Sequence, residues 1–222
     1  MQRLKEVNLE NKYQTQLWQN LAATCIKNLK KHGFDAHFVS TKNQAREVIL
    51  EMVSGYETFG FGGSDTTRAL GVLEELQSKG KTIYDHWQKD LSEKDVVNFR
   101  LQQGRCDCFL CSANAISATG EIVNVDGVGN RNNAMTFGPN KVIIVAGMNK
   151  VMTDLDSALK RIRDIAAPMR ALSLGMETPC AVTGVCNDCD TPQRLCRITT
   201  ILHRKPMLTD VSVVLINQAL GF

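Results

Sequence analysis

With 222 residues, 43% of them hydrophobic, the chain can bury a substantial core, while a formal net charge of +3 spread evenly along it argues against a nucleic-acid partner. The opening Met-Gln-Arg-Leu-Lys-Glu lacks the apolar stretch of a signal peptide, and the apolar runs 142–148 and 211–216 are too short to span a bilayer, so a cytoplasmic protein without membrane insertion is expected. In such a reducing compartment eight cysteines point to metal binding or burial rather than to a disulfide framework.

Leu17, Leu21, Cys25 and Leu29 recur every four positions after Tyr13, which predicts a helix over about 10–32 with Gly33 as its stop. Periodicity then alternates between strand and helix: a strand at 34–39, a helix at 43–53, a short apolar strand at 58–61, a helix at 65–77, a strand at 81–84 and a helix at 92–102. Buried strands are predicted at 108–112, 122–125 and 141–146. Thr153, with Asp156 three residues on, caps a helix carrying Leu155, Leu159, Ile162 and Ala166 on one face, which Pro168 closes. Strands at 197–202 and 211–216 end the series. No repeat, low-complexity tract or linker interrupts it, so the expectation is one α/β domain over 1–222 with a mainly parallel sheet covered by helices.

Between the last helix and the last two strands lie Cys180, Cys186, Cys189 and Cys196, spaced C-x5-C-x2-C-x6-C. Loops containing Gly184, Asp188 and Pro192 let the chain double back, so four soft thiolates can converge on one centre, either an iron-sulfur cluster or zinc. Buried thiols or two disulfides are the plainer alternative, and the spacing itself does not choose between the metals. Cys106, Cys108 and Cys111 form a second group; strand alternation would place the first two on one face and Cys111 opposite, which suits core thiols better than a tetrahedral site. His32, His37, His86 and His203 have no ligand-like spacing and are read as structural or exposed.

Two segments could hold a ligand. Gly62, Gly63, Ser64, Asp65, Thr66 and Thr67 follow a strand and enter a helix, so their backbone and hydroxyls could cradle a phosphate or carboxylate, although the run matches neither nucleotide-loop pattern and could equally be a cap and a turn. The second is the polar stretch from Asn114 through Asn124, Asp126, Gly127, Gly129 and Asn130 to Arg131, in which Asp126 could act as a general base and Arg131 as an anion clamp. Asn and Asp also build turns, so it is their concentration that favours a site. Both loops are expected at the carboxyl edge of the sheet, around a small anionic metabolite.

The ordered string Gly62-Gly63-Ser64, Ser112 to Asn114, Thr119-Gly120, Asn124-Val-Asp126-Gly127, Gly129-Asn130-Arg131, Phe137-Gly138-Pro139 and Gly147-Met-Asn149-Lys150, with the cysteine run behind it, resembles the lactate-utilisation (LUD) domain family, the LutB/LutC/YkgG group. The resemblance covers nearly the whole chain. It implies a fold like that of the NagB/RpiA/CoA-transferase superfamily, a role near lactate or other small-acid oxidation as a possible oxidoreductase component, iron-sulfur redox partner proteins, and a [4Fe-4S] cluster on the four cysteines with zinc as the alternative. This chain lacks the ferredoxin-type motifs of LutB-like members, and LutC-like chains generally lack its cysteine run. Competing readings are a non-redox isomerase or acyl-CoA transferase type of enzyme, with Asp126 as base or Glu121 as nucleophile, and a structural-zinc binding protein.

Overall fold

The computed structural model describes residues 2–222, with side chains from Lys12 onward. The reading of the first six residues as no signal peptide therefore lies outside the described side chains. Helix α1 (Gln2–Lys31) leads into strand β1 (Asp35–Val39), followed by α2 (Lys42–Met52), β2 (Thr58–Phe61), the short helices α3 (Asp65–Arg68) and α4 (Val72–Ser78), β3 (Thr82–Asp85) and α5 (Glu93–Gln103). Next come β4 (Cys108–Ser112), β5 (Ala115–Ser117), β6 (Ile122–Asp126), α6 (Asn130–Thr136), β7 (Lys141–Gly147) and the two-residue β8 (Val151–Met152). Helices α7 (Leu155–Arg161), α8 (Ala167–Ser173) and α9 (Pro179–Thr183) precede β9 (Ile198–Leu202) and β10 (Asp210–Ile216).

Six strands form one sheet in the order β1-β10-β7-β4-β2-β3, every neighbouring pair parallel. Its central strand β7 is buried throughout, and its side chains alternate between two cores as the period of two requires. Val142, Ile144 and Ala146 pack with Cys25 and Leu29 of α1 on one face, and Ile143 and Val145 pack with Ile49 of α2 and Leu76 of α4 on the other. Truncating a side chain as deeply buried as Ile144 to Ala would cost about 2–5 kcal/mol. The expected α/β architecture with a doubly covered parallel sheet is thus present, and no described helix is long and apolar enough to cross a membrane.

Several expectations need correction. The stripe on α1 is buried only from Leu21 inward, because Leu17 remains 61% exposed. The helix predicted at 65–77 divides around Gly71 into α3 and α4. Asp154, not Thr153, caps α7, its carboxylate accepting from the Ser157 amide at 2.7 Å. Pro168 does not end the helical run: a π-helical stretch at Ile162–Ala166 hands the chain to α8, whose first turn holds Pro168 where an amide hydrogen is not needed. The segments predicted at 122–125 and 197–202 are strands, but they belong to a second, four-stranded sheet in the order β8-β5-β6-β9. Finally, Cys106 precedes β4 in a turn, so strand alternation does not govern it; it shares a core with Cys111, while Cys108 faces the other side. All three are buried, as core thiols should be.

Candidate functional site

Parallel pairing puts the carboxyl ends of β2, β4 and β7 side by side, with Phe61 opposite Leu110 and Ser112 opposite Val145. Loops leaving these ends therefore open on one edge. They enclose a cavity of about 440 Å³ that takes in Gly63, Ser64 and Thr66 after β2, Ser112 and Asn114 after β4, Asp126, Gly127, Asn130 and Arg131 after β6, and Lys150 after β7. The two loops singled out in the sequence thus meet at the predicted edge.

Not every residue of those loops reaches the cavity. The Ser64 hydroxyl caps α3 by accepting from the Thr67 amide at 3.3 Å, and Thr67 Oγ1 donates back to Ser64 O at 3.1 Å, so Thr67 serves the helix start. The Gly62 amide extends the sheet by donating to Leu110 O at 2.9 Å. Gly63 does line the cavity and touches it through bare backbone, since a Cβ there would sit 2.7 Å from the Trp87 ring. Asn124 is buried behind the wall, its Oδ1 accepting from the Asn114 amide at 2.7 Å, and Gly129 forms the turn before α6.

Asp126 and Arg131 turn out to be partners. Arg131 donates from Nε and Nη2 to Asp126 Oδ1 at 2.9 and 2.7 Å, from Nη2 also to Asn114 Oδ1 at 2.7 Å and Val125 O at 2.9 Å, and from Nη1 to Ser112 O at 3.2 Å. The other Asp126 oxygen accepts from the Asn132 amide at 2.9 Å. Both carboxylate oxygens are engaged, so the expected free base at Asp126 is instead an anchor that aims Arg131 and ties the ends of β4 and β6 to Asn114 of the loop between β4 and β5. Glu121 accepts from the Thr119 hydroxyl and does not line the cavity, so the residue read as a transfer nucleophile lies outside it.

Four further contributors escaped the sequence reading. His86 lines the cavity rather than being merely structural. Burial, followed by the charge of Arg100, pushes its imidazole down to about 4, so it is neutral at physiological pH. Its Nδ1 lies 2.8 Å from the amide nitrogen of the fully buried Gln103, which also donates to Phe61 O at 2.8 Å and Tyr84 O at 3.1 Å. Gln103 also accepts from Asn130 Nδ2 at 2.9 Å, tying that loop to α5. Trp87 lies between two guanidinium groups, Arg68 and Arg170, each 4.7 Å from its ring centre, and both Trp87 and Arg170 line the cavity. Lys150 is the fourth; its place directly after the central strand was the available signal, whereas His86, Trp87 and Arg170 are brought in by tertiary packing alone.

A second, small cavity adjoins the first and is lined by Cys180, Cys186, Cys189 and Cys196. None of the four is disulfide-bonded. Arg194 clasps the segment, donating to Cys189 O at 2.6 Å, Cys196 O at 2.8 Å and Asp188 Oδ1 at 2.7 Å. Burial, then the neighbouring Cys180 and Cys186, push the Cys196 thiol up, so its proximity to the other sulfurs is felt electrostatically. Four unbridged soft donors on one cavity fit a thiolate-held centre in kind. In this arrangement no three His, Cys, Asp or Glu side chains among the described residues are grouped closely enough to hold a metal ion. Ala167, Leu195 and Cys196 line both cavities, so a single layer of residues separates them.

The LUD domain family model matches residues 22–216. Among solved structures, the chain is similar to the crystal structure of a DUF162 family protein from Deinococcus radiodurans, with a TM-score of 0.53 and 13% sequence identity over 90% of this chain and 98% of that one. At that identity the likeness concerns the fold alone. Comparison with curated proteins gives no match.

Proposed function

Because this chain belongs to the LUD domain family, which is linked in general to lactate utilisation, we propose that it binds a small hydroxy or oxo acid at the sheet edge, beside a metal centre on Cys180, Cys186, Cys189 and Cys196. The observation that carries this reading is the shared wall of Ala167, Leu195 and Cys196 between the basic cavity and the cysteine cavity. The charge of the acid suits the first cavity, where Arg131, Arg170 and Arg100 contribute guanidinium groups and His86 Nε2 and the Ser64 and Thr66 side chains offer neutral polar contacts. Asp126 holds Arg131 in place for that task, and Trp87 with Arg170 stacked on its ring adds to the lining.

A [4Fe-4S] cluster is the preferred occupant of the cysteines, with zinc as the alternative, and a cluster would supply one-electron chemistry next to the bound acid. The role is then that of a redox-associated component of small-acid metabolism. A non-redox isomerase or transferase is less favoured, since both aspartates of the cavity are paired, Asp126 with Arg131 and Asp65 with Arg170 at 3.4 Å. The test is metal and acid-labile sulfide analysis after anaerobic reconstitution of wild type and Cys189→Ser. Iron with stoichiometric sulfide in the wild type, reduced in the variant, is expected. Stoichiometric zinc without sulfide would favour the structural alternative, and no metal in either protein would remove both.

A further inference from the structure

Lys150 sits 4% exposed in the wall of the large cavity, and it forms no ion pair among the described residues. Its Nζ lies 3.0 Å from Thr66 Oγ1 and 3.0 Å from Ser112 Oγ. Each hydroxyl directs its own hydrogen elsewhere, Thr66 to Leu220 O at 3.2 Å and Ser112 to Ala113 O at 3.2 Å, so both must accept from the lysine. Two acceptors match the two hydrogens of a neutral amine and leave its lone pair unengaged, whereas an ammonium would have a third N–H without a partner among the described residues. The surroundings favour the same state. Burial, then the guanidinium groups of Arg161 and Arg131, pull the amine down to about 7, against a weaker opposing pull from Asp65.

We infer that the Lys150 amine is a nucleophile that condenses reversibly with the keto group of a 2-oxo acid held in this cavity. The inference rests on the cavity being the acid site proposed above, and it narrows the ligand from any small acid to one with a carbonyl beside the carboxylate. The Nζ lone pair attacks the carbonyl carbon, a C=N bond replaces the C=O bond, and the carbonyl oxygen leaves as water with the two amine hydrogens. No oxidant or reductant is needed. A desolvated lysine next to other cations is a known way to make an amine reactive at neutral pH. Arg131 and Arg170, each also paired with an aspartate, line the same cavity and present guanidinium groups to the carboxylate, while Thr66 and Ser112 hold the amine by both of its hydrogens.

The experiment is reductive trapping of the full-length protein with pyruvate and sodium borohydride, read by intact mass and peptide mapping. In parallel, binding of lactate, which has no keto group, is followed by tryptophan fluorescence. The expected result is one reduced pyruvate adduct on the peptide containing Lys150, absent from Lys150→Arg and Lys150→Met, with Lys150→Met, the neutral variant of similar size, retaining the wild-type melting profile. Lactate binding without any trapped adduct, or an adduct whose yield is unchanged in Lys150→Arg, would overturn the Schiff-base inference and leave the acid-site reading standing. If neither acid is bound or trapped, both fall.

Discussion

The two cavities that share Ala167, Leu195 and Cys196 are built in opposite ways. Around the larger one, strand ends from both sheets hold side chains that are buried and bonded to one another, as in the Arg131 network, so the site exists before any ligand arrives. Around the smaller one, the chain between α9 and β9 has no regular structure, Cys186 is exposed, and the segment is gathered mainly by Arg194 and Arg197 reaching to backbone carbonyls. Strand ends fix the first site, whereas the second is held by two arginine side chains and the short α9. The proposed function divides along the same line, with the acid placed in the preorganised cavity and the metal centre on the irregular segment beside it.

The largest effect that could break this contrast is at the buried pair. Asp126→Ala leaves the Arg131 charge without its partner, and chemical denaturation is expected to show a loss of about 3–5 kcal/mol. Asp126→Asn, which keeps an acceptor for Arg131, should lose less. A loss below about 1 kcal/mol for the alanine variant would mean that the network does not hold the site together.

Two glycines sharpen the comparison because each adopts a left-handed conformation in one of the regions. Gly221 has φ +60°, and a Cβ there would come within 2.5 Å of Thr66 Oγ1 and 3.2 Å of Lys150 Nζ. Gly184, at φ +75°, has nothing within 4 Å of that position. Gly184→Ala should therefore cost only the backbone term of about 1–2 kcal/mol and leave anion binding intact. Gly221→Ala carries the same term and also displaces two groups of the cavity, so a fall of roughly tenfold in anion affinity is expected from fluorescence titration. Equal anion affinity in the two variants would show that the chain near Gly221 does not shape the pocket.

Much of this was legible in the sequence, for reasons that also mark the limits. Thr58–Phe61, Cys108–Ser112 and Lys141–Gly147 are short apolar runs ended by glycine or polar residues, and their burial on both faces leaves no other reading than central strands. Placing β6 beside β9 was not legible, because the pairing of Asn124 with Thr200 joins segments far apart in the chain and depends on no local signal. In the site, glycines and hydroxyls announced the first loop by local turn chemistry. The mutual engagement of Asp126 and Arg131 could not be read, since a charged residue in a polar loop looks the same whether it faces a ligand or its neighbour. His86 is the clearest omission: its character comes from Gln103 and Arg100, both on helix α5, which packs against β2.

That histidine gives the smallest of the predicted effects. The folded protein keeps His86 neutral down to about 4, while the unfolded chain takes up a proton near 6.5. Between those values the unfolded state binds more protons, so the contribution to stability is complete above 6.5 and declines as the pH falls towards 4. The decline is softened by water, because the imidazole is only partly buried. Urea unfolding of wild type and His86→Gln across this window should show the steeper loss in the wild type; parallel curves would place the imidazole outside the preorganised cavity.

The most direct test of the shared wall is the spectrum of the reconstituted metal centre during titration with pyruvate, alongside tryptophan fluorescence of the same sample. A saturable change in the absorption or paramagnetic resonance of the centre, with the same midpoint as the fluorescence change, is the predicted result. Saturation by fluorescence with an unaltered centre would contradict it, showing that the acid site and the cysteine site, though separated by one layer of residues, do not act on each other.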